Sequence, residues 1–333
     1  MRFGVVSGNV IRRLIEESPE ECVKAVEDVY LAGHRGEVVC PNSYFLRFPD
    51  RPDARIIALP AHLGGGDPVS GIKWIASYPA NIRQGIPRAS AVIVLNRADN
   101  GYPFACLEGS IISAARTAAS AVSAAAALSG GRRAGTLGIV GTGLIARYVV
   151  SFLSRLGWEI PEVLLFDTNP AEPERFREVA FAPERRREVH VAKDLESVVR
   201  RSDLLVFTTS AATPHVHDPG WFSHAPVVLH LSLRDLSPRV VLSSFNVVDS
   251  VEHVMSAGTS LHLAEQESGG REFVTGTLAQ VLLGQRTAPR TKPIVFSPFG
   301  MGTLDLAVAR WAYARAEAAG DVVWIDHFFD MTR

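Results

Sequence analysis

Apolar positions along the chain change period twice, and the changes mark out its elements. Phe3 to Ile11 is an apolar run broken by Ser7, Gly8 and Asn9, which reads as folded structure and not as a leader. Ser18-Pro19-Glu20-Glu21 predicts a helix start, with Ser18 as N-cap, Pro19 at the first helical position and Glu21 three residues past the cap. Val23, Val26 and Tyr30 carry that helix as an apolar stripe up to Gly33. The period then shortens. Arg55–Leu59, Val69–Ser77 and Arg88–Asn96 are apolar runs divided by Gly- and Pro-rich turns, Gly64-Gly65-Gly66-Asp67-Pro68 among them, and they predict strands of one sheet. From Glu108 to Leu128 the chain is so rich in Ala and Ser that a long helix is predicted, ended by Gly130-Gly131.

The middle is of another kind. Thr136–Val140 is an apolar run followed by Gly141-Thr142-Gly143 and helix-like residues to Leu156. Glu162–Phe166 ends in Asp167, and further apolar runs lie at Leu204–Thr208, Val227–Leu231 and Asn246–Val248. Charged helical segments such as Asp194–Arg201 separate them, and this alternation predicts an α/β fold with a doubly wound parallel sheet. The end returns to a mixed pattern. Leu306, Ala309, Arg310 and Tyr313 set an amphipathic helix over Gly302–Gly320, and Asp321–Ile325 follows as a short strand. The tail is therefore expected to rejoin the first third.

Composition narrows the class. A chain of 333 residues suggests about two domains at the usual ~150 residues each. With 47% hydrophobic and 21% charged residues it is neither disordered nor collagen-like. Lys and Arg number 34 against 35 Asp and Glu, and Arg185-Arg186-Arg187 is the longest block of like charge, so no nucleic-acid or membrane-surface partner is indicated. Cys22, Cys40 and Cys106 make an odd count without CxxC spacing, which argues against a disulfide framework or a cysteine-type metal site and makes a reducing cytoplasm the expected setting. The longest uncharged stretches, Thr117–Gly131 and Pro219–Leu233, are 15 residues each, short of the ~20 a spanning helix needs, so none is expected.

One motif carries chemistry by itself. Gly141-Thr142-Gly143-Leu144-Ile145-Ala146 is a G-x-G-x-x-A turn between a strand and a helix. The first Gly permits the tight turn, the second lets backbone approach a pyrophosphate, and Ala146 lets helix and strand pack closely. Asp167 ends the next strand, 24 residues after Gly143, where a carboxylate accepts ribose hydroxyls and repels a 2′-phosphate. A dinucleotide site with NAD as cofactor is expected.

A second set is cationic. Lys73 lies inside the apolar strand Gly71–Ile75, and Arg116 is the only charge between Glu108 and Arg132. Arg47 follows the aromatic pair Tyr44-Phe45, and Arg88 opens a strand. A charge in an apolar segment needs a partner, which a bound anion or an internal ion pair would supply. Asp235, just past an apolar run, stands where ligands gather in open α/β sheets and suits proton transfer or amine binding; a loop cap or a salt bridge to Arg234 explains it equally. His62 reads as structural or as part of the site. His215, His217, His224 and His230 lack metal-ligand spacing, so no metal is proposed. A G-x-S-x-G elbow is absent, which lowers a hydrolase reading.

Together these residues resemble the ornithine cyclodeaminase/μ-crystallin family. The likeness rests on Lys73 in its strand, Arg116-Thr117-Ala118-Ala119, the G-x-G turn, Asp235, and Phe299-Gly300-Met301-Gly302-Thr303-Leu304-Asp305. Within it, Pro60-Ala61-His62-Leu63-Gly64-Gly65, Ser70–Ile75, Arg88-Ala89-Ser90 and Leu107–Ser113 look closer to the NAD-dependent N-(2-amino-2-carboxyethyl)-L-glutamate dehydrogenases of 2,3-diaminopropionate biosynthesis, which serve siderophore and peptide-antibiotic assembly. The resemblance implies a substrate-binding and dimerisation domain from residues 1–117 and 302–333, a Rossmann domain with its entry helix over 118–301, and a homodimer. It implies oxidation of a tricarboxylate amine to an imine, which water splits into 2-oxoglutarate and L-2,3-diaminopropionate. Arg47, Lys73 and Arg116 would hold the carboxylate beside the reacting carbon, Lys73 would also move a proton, and Asp235 would hold the amine or activate water. Arg88 is read as a donor for an extra carboxylate, and His62 is counted among the substrate-binding residues. The cofactor set is Thr117, Gly141, Thr142, Gly143, Leu144, Ile145, Asp167, Thr208, Ser210, Ser232 and Leu233. Ser250–Ser260 departs from the branch pattern and has no assigned role. Ornithine cyclodeaminase, an imine or opine reductase, and a μ-crystallin-like binder of NAD(P)H are the competing readings.

Overall fold

The computed structural model describes residues 2–181 and 187–330, so Arg185 and Arg186 of the basic run lie outside the described residues. The chain forms two compact units, one of Met1–Arg116 with Met301–Arg333 and one of Thr117–Gly300.

The first unit is built on a mixed sheet of both chain ends. Its strands run in the order Val323–Ile325, Phe3–Val6, Pro103–Glu108, Ala89–Arg97, Val69–Ser77, Arg51–Leu63, Val38–Val39, and Tyr44–Phe48 also pairs with Arg51–Leu63. Only Phe3–Val6 with Pro103–Glu108 is parallel; the other pairs are antiparallel. Leu59, Ala61, Leu63, Val69, Lys73, Ile93 and Leu95 form the buried face, against which helix Gly302–Ala319 packs. Tyr44, Ala58, Trp74 and Val92 make one cross-strand row on the opposite face. There Tyr44 is 71% exposed, Trp74 42% and Val92 42%.

Two elements differ locally from the sequence reading. Strand Arg51–Leu63 runs well beyond the apolar stretch, because it pairs on both sides and backbone bonding carries polar Arg51 and Asp53 into the ladder. Pro60 falls between its two edge partners, Ala58 being the last residue paired with Tyr44–Phe48 and His62 the first paired with Val38–Val39, so the missing N–H costs no bond on that side. A helix over Gly8–Glu17 was not expected, and it ends at the residue where Pro19–His34 begins. Ser18 is thus C-cap and N-cap at once; its N–H bonds Leu14 O, and its hydroxyl makes no cap bond.

The Ala/Ser helix is Gly109–Ser129. At 21 residues and a mean hydropathy of 1.4 it is long and apolar enough to cross a bilayer, contrary to the expectation drawn from uncharged stretches, because a helix tolerates Arg116 within that length. It serves as a core helix, with 67% of its apolar window buried within the protein.

The second unit is the doubly wound α/β sheet. Eight parallel strands follow the order Glu188–Val191, Glu162–Phe166, Thr136–Val140, Leu204–Phe207, Val227–His230, Ile294–Ser297, Phe245–Val248, Val274–Thr277. Chain order reverses between Thr136–Val140 and Leu204–Phe207, the switch point at which such sheets open a crevice. Its core gathers Val140, Leu205, Phe207, Phe222, Val228 and Val295, buried on both faces as parallel strands require.

Candidate active site

At the switch point, strand Thr136–Val140 delivers Gly141 with φ 86°. A Cβ there would lie 2.8 Å from the Thr208 carbonyl carbon, so only glycine passes. Thr208 Oγ1 donates to Gly141 O at 2.6 Å and pins the turn. Helix Leu144–Arg155 begins at Gly143 without a side-chain cap, and a Cβ on Gly143 would meet nothing within 4 Å. Leu144 is exposed, Ile145 half-buried and Ala146 buried. An open helix N-terminus with bare backbone N–H groups and a close-packed third residue fits a pyrophosphate. Asp167 does more than the spacing foresees. Its Oδ2 accepts from Thr142 N (2.9 Å) and Thr142 Oγ1 (3.1 Å), and its Oδ1 from Asn169 N (3.0 Å), so it also ties the glycine turn to its own strand. Ser210 is exposed and Thr117 half-buried on its helix.

Asp235 follows strand Val227–His230 and is fully buried. Its Oδ1 faces His215 Nε2 at 3.0 Å and takes a short bond from Thr209 Oγ1; its Oδ2 faces His230 Nε2 at 3.1 Å and takes one from Ser232 Oγ. His230 is braced in turn by Ser297 Oγ at 3.1 Å. Burial alone would raise this carboxyl, but the bonds from His215, His230 and Ser232 overcome it and hold it well below the usual carboxylate range. It therefore stays ionised at neutral pH, with both oxygens occupied. That is an electrostatic anchor and an orienter of His215, whose side chain keeps 36% exposure, more than a group that shuttles protons or activates water. Arg234 is not its partner, since that side chain donates to Ala257 O at 2.6 Å. Thr209 and His215 were not singled out from the sequence as members of this cluster; nothing in their spacing marks them.

Leu233, between Ser232 and Asp235, holds φ 72°, a strained position for a branched side chain. Its carbonyl accepts from Ser260 N at 2.8 Å. The segment Ser250–Ser260 thereby gains a role: it braces this loop through Ser260, and Ala257 does so through Arg234.

In the first unit, Lys73 sits on the buried face of its strand, 2% exposed. Its Nζ lies 2.6 Å from Asp305 Oδ2 and donates to Ser113 Oγ at 3.1 Å. Arg116, one turn beyond Ser113 on the long helix and 12% exposed, donates from Nε to Asp305 Oδ1 at 3.1 Å. Lys73 and Arg116 thus engage the two oxygens of Asp305 one each. The isolation of Arg116 within its helix is thus resolved across the fold, by an acid 189 residues away. Two cations meet one carboxylate. The internal ion pair explains one charge and leaves a surplus of +1 in a dry site, which asks for an anion. Burial pushes the Lys73 ammonium down to about 8 against the pull of Asp305.

Other expected members stand apart. Strand register places His62 opposite Ser70 and Lys73 opposite Leu59, so His62 is on the other face of the sheet from Lys73. Its Nδ1 bonds Ser70 Oγ at 3.0 Å, the structural alternative for this histidine, and the structure does not bring it to the cation cluster. Arg47 shares the face of Lys73 by register, through Arg55 and Ser77, but its guanidinium is exposed and lies 5.3 Å over Phe45. Arg88 Nε donates to Ser77 Oγ at 3.3 Å, at that same end of the sheet. Among the described residues, no group of three or more His, Cys, Asp or Glu is placed to hold a metal.

Known proteins resemble this chain over most of its length. Alanine dehydrogenase of Archaeoglobus fulgidus is 27% identical over 305 residues, 90% of this chain and 91% of its own. N-((2S)-2-amino-2-carboxyethyl)-L-glutamate dehydrogenase of Staphylococcus aureus is 29% identical over 271 residues, 79% of each chain. These near-equal identities do not separate one branch from another. An archaeal alanine dehydrogenase dimer with bound NAD superposes with a TM-score of 0.86 at 25% identity, over 98% of this chain and 100% of that one. The family model matches residues 11–320, and the chain belongs to the ornithine cyclodeaminase/mu-crystallin family.

Proposed function

We propose that the protein is an NAD-linked oxidoreductase acting on the CH–NH bond, or the corresponding C=N bond, of an amino-acid-derived substrate. The observation that carries this reading is the buried surplus positive charge of Lys73 and Arg116 over Asp305, which one carboxylate would balance. Bound NAD supplies the hydride acceptor, or as NADH the donor. Gly141, Thr142, Gly143, Leu144 and Ile145 hold its pyrophosphate and Asp167 its ribose, with Thr117, Thr208, Ser210, Ser232 and Leu233 around it. Lys73 and Arg116, with Arg47, fix the substrate carboxylate next to the reacting carbon. Lys73, with its proton affinity brought near neutrality, exchanges a proton with the substrate nitrogen. Asp235 stays anionic and is assigned to the amine nitrogen of the substrate.

Two substrate classes follow. The tricarboxylate amine N-(2-amino-2-carboxyethyl)-L-glutamate is supported by the Staphylococcus aureus relative and by Arg88 and Arg47 at the end of the Lys73 face. A smaller substrate, taken by an imine or opine reductase or an ornithine cyclodeaminase, is favoured by the single surplus charge, which balances one carboxylate and no more. That narrower cation count makes the second class the better supported. A homodimer joined through the open sheet face of Tyr44, Trp74 and Val92 accounts for so much exposed apolar surface there.

Product analysis on the full chain separates the readings. The tricarboxylate with NAD should give NADH, 2-oxoglutarate and 2,3-diaminopropionate in equal amounts if the first class holds. Cyclic imine carboxylates consuming NADH establish a reductase, and ornithine giving proline and ammonia without net NADH establishes the cyclodeaminase. Absence of all three turnovers, with NADH still bound, refutes an enzyme of this type and leaves a binding protein.

A further inference from the structure

Asp305 has so far figured only as the counter-ion of Lys73 and Arg116, yet the cluster is organised on it. It lies in the first turn of helix Gly302–Ala319 and is fully buried. A Cβ on Gly302 would stand 3.0 Å from Leu59 O, and Leu59 is the register partner of Lys73. The absence of a side chain at residue 302 therefore seats the helix start on the strand beside Lys73, and the carboxylate one turn on reaches the ammonium. One oxygen faces Lys73 Nζ at 2.6 Å and the other accepts from Arg116 Nε at 3.1 Å. Engaging the guanidinium through Nε uses one of its five N–H donors. The helix N-terminus favours the anion, which is fully buried and would otherwise be costly to hold.

Two cations brought together in a dry site repel, and long side chains would turn away from each other. The two oxygens of one carboxylate hold them at a fixed separation instead. We propose that Asp305 is a positioning residue that sets the spacing and the total charge of the carboxylate anchor formed by Lys73 and Arg116. This rests on the reading of those two residues as substrate anchors. Asp305 touches neither substrate nor cofactor in this role; it acts through the cations.

The test uses the full chain loaded with NADH, with L-alanine, L-glutamate and L-proline as probes and calorimetry as the readout, so that no turnover is required. The wild type binds at least one probe, and Lys73→Met and Arg116→Ala abolish that binding. Asp305→Asn, which keeps shape and removes charge, lowers probe affinity at least tenfold while NADH affinity, read by fluorescence, stays unchanged. Asp305→Glu keeps the charge, so the cations stay compensated and the fold is retained, but one added methylene changes the spacing and affinity again falls tenfold. Wild-type probe affinity in folded Asp305→Glu or Asp305→Asn overturns the positioning role. Probe affinity untouched in both Lys73→Met and Arg116→Ala, or no probe bound by the wild type, overturns the anchor and with it this role. Loss in the Lys73 and Arg116 variants alone sinks only the part assigned to Asp305.

Discussion

Replacing Lys73 with methionine should stabilise the protein while it removes the substrate anchor. Burial pushes the ammonium down from 10.5 to about 8, even with Asp305 pulling it up. At 1.36 kcal/mol per pH unit, keeping this group charged in the fold costs about 3 kcal/mol. The folded protein releases the Lys73 proton before the unfolded chain does, so between about 8 and ~10.4 the unfolded chain binds more protons and stability rises with pH. Below about 8 the whole cost is carried. Methionine is unbranched and uncharged, fills nearly the same space, and leaves Asp305 balanced by Arg116. The deleted charge is the surplus one, so no buried ion is orphaned. Loss of the bond to Ser113 Oγ returns roughly 1 kcal/mol, which leaves a net gain of about 2 kcal/mol at pH 7. Urea unfolding of both proteins at pH 7 and again near pH 10 measures the gap, which should be clear at the lower pH and close at the higher. A variant less stable than the wild type at pH 7, or a gap that does not narrow, would show that the Asp305 attraction outweighs burial and would refute the argument.

Two further outcomes follow from the cofactor unit. Asp167→Ser should weaken NAD binding and relieve repulsion of a 2′-phosphate, and it should also loosen the glycine turn, since Thr142 N and Oγ1 lose their acceptor; equal NAD and NADP affinities in the unmodified protein, by fluorescence titration, would count against the ribose assignment. Asp235→Asn should cut turnover with NAD affinity nearly kept, and should destabilise by roughly 1–3 kcal/mol as the new amide nitrogen meets donors at one of its two sites; thermal denaturation reads the second effect, and an unchanged midpoint would mean that the histidines turn freely.

Much of the nucleotide unit was legible because its signals are local. Strands Thr136–Val140 and Glu162–Phe166 coincide with their apolar runs, since buried parallel strands are apolar throughout and are cut off sharply by Gly141 and Asp167. The cation cluster was legible only as a set of questions. Lys73 and Arg116 stood out as charges in apolar segments, but their counter-ion lies in another helix far along the chain, and no local rule links the three. Asp235 shows the same limit in reverse: its position after a strand is visible, whereas the four side chains that hold it down converge from two loops and a strand end. The face taken by His62 was hidden for a simpler reason. Parity along strand Arg51–Leu63 decides its face, and the predicted strand stopped at Leu59, before parity reached it.

The sheet of the first unit needs both ends of the chain, and that has a consequence for biosynthesis. Residues 117–300 are contiguous, so the nucleotide unit holds everything it needs once they have left the ribosome. The other unit must wait: strand Phe3–Val6 finds its antiparallel neighbour only in Val323–Ile325, more than three hundred residues later, a pairing of very high contact order. During that interval Lys73 and Arg116 have no counter-ion, because Asp305 arrives with the same late helix. Closing the sheet and neutralising its buried charge are thus a single late event. A nascent chain stalled before residue 301 would present a folded nucleotide unit beside a sheet that is missing an edge strand and carries two unbalanced cations, a state suited to recognition by chaperones.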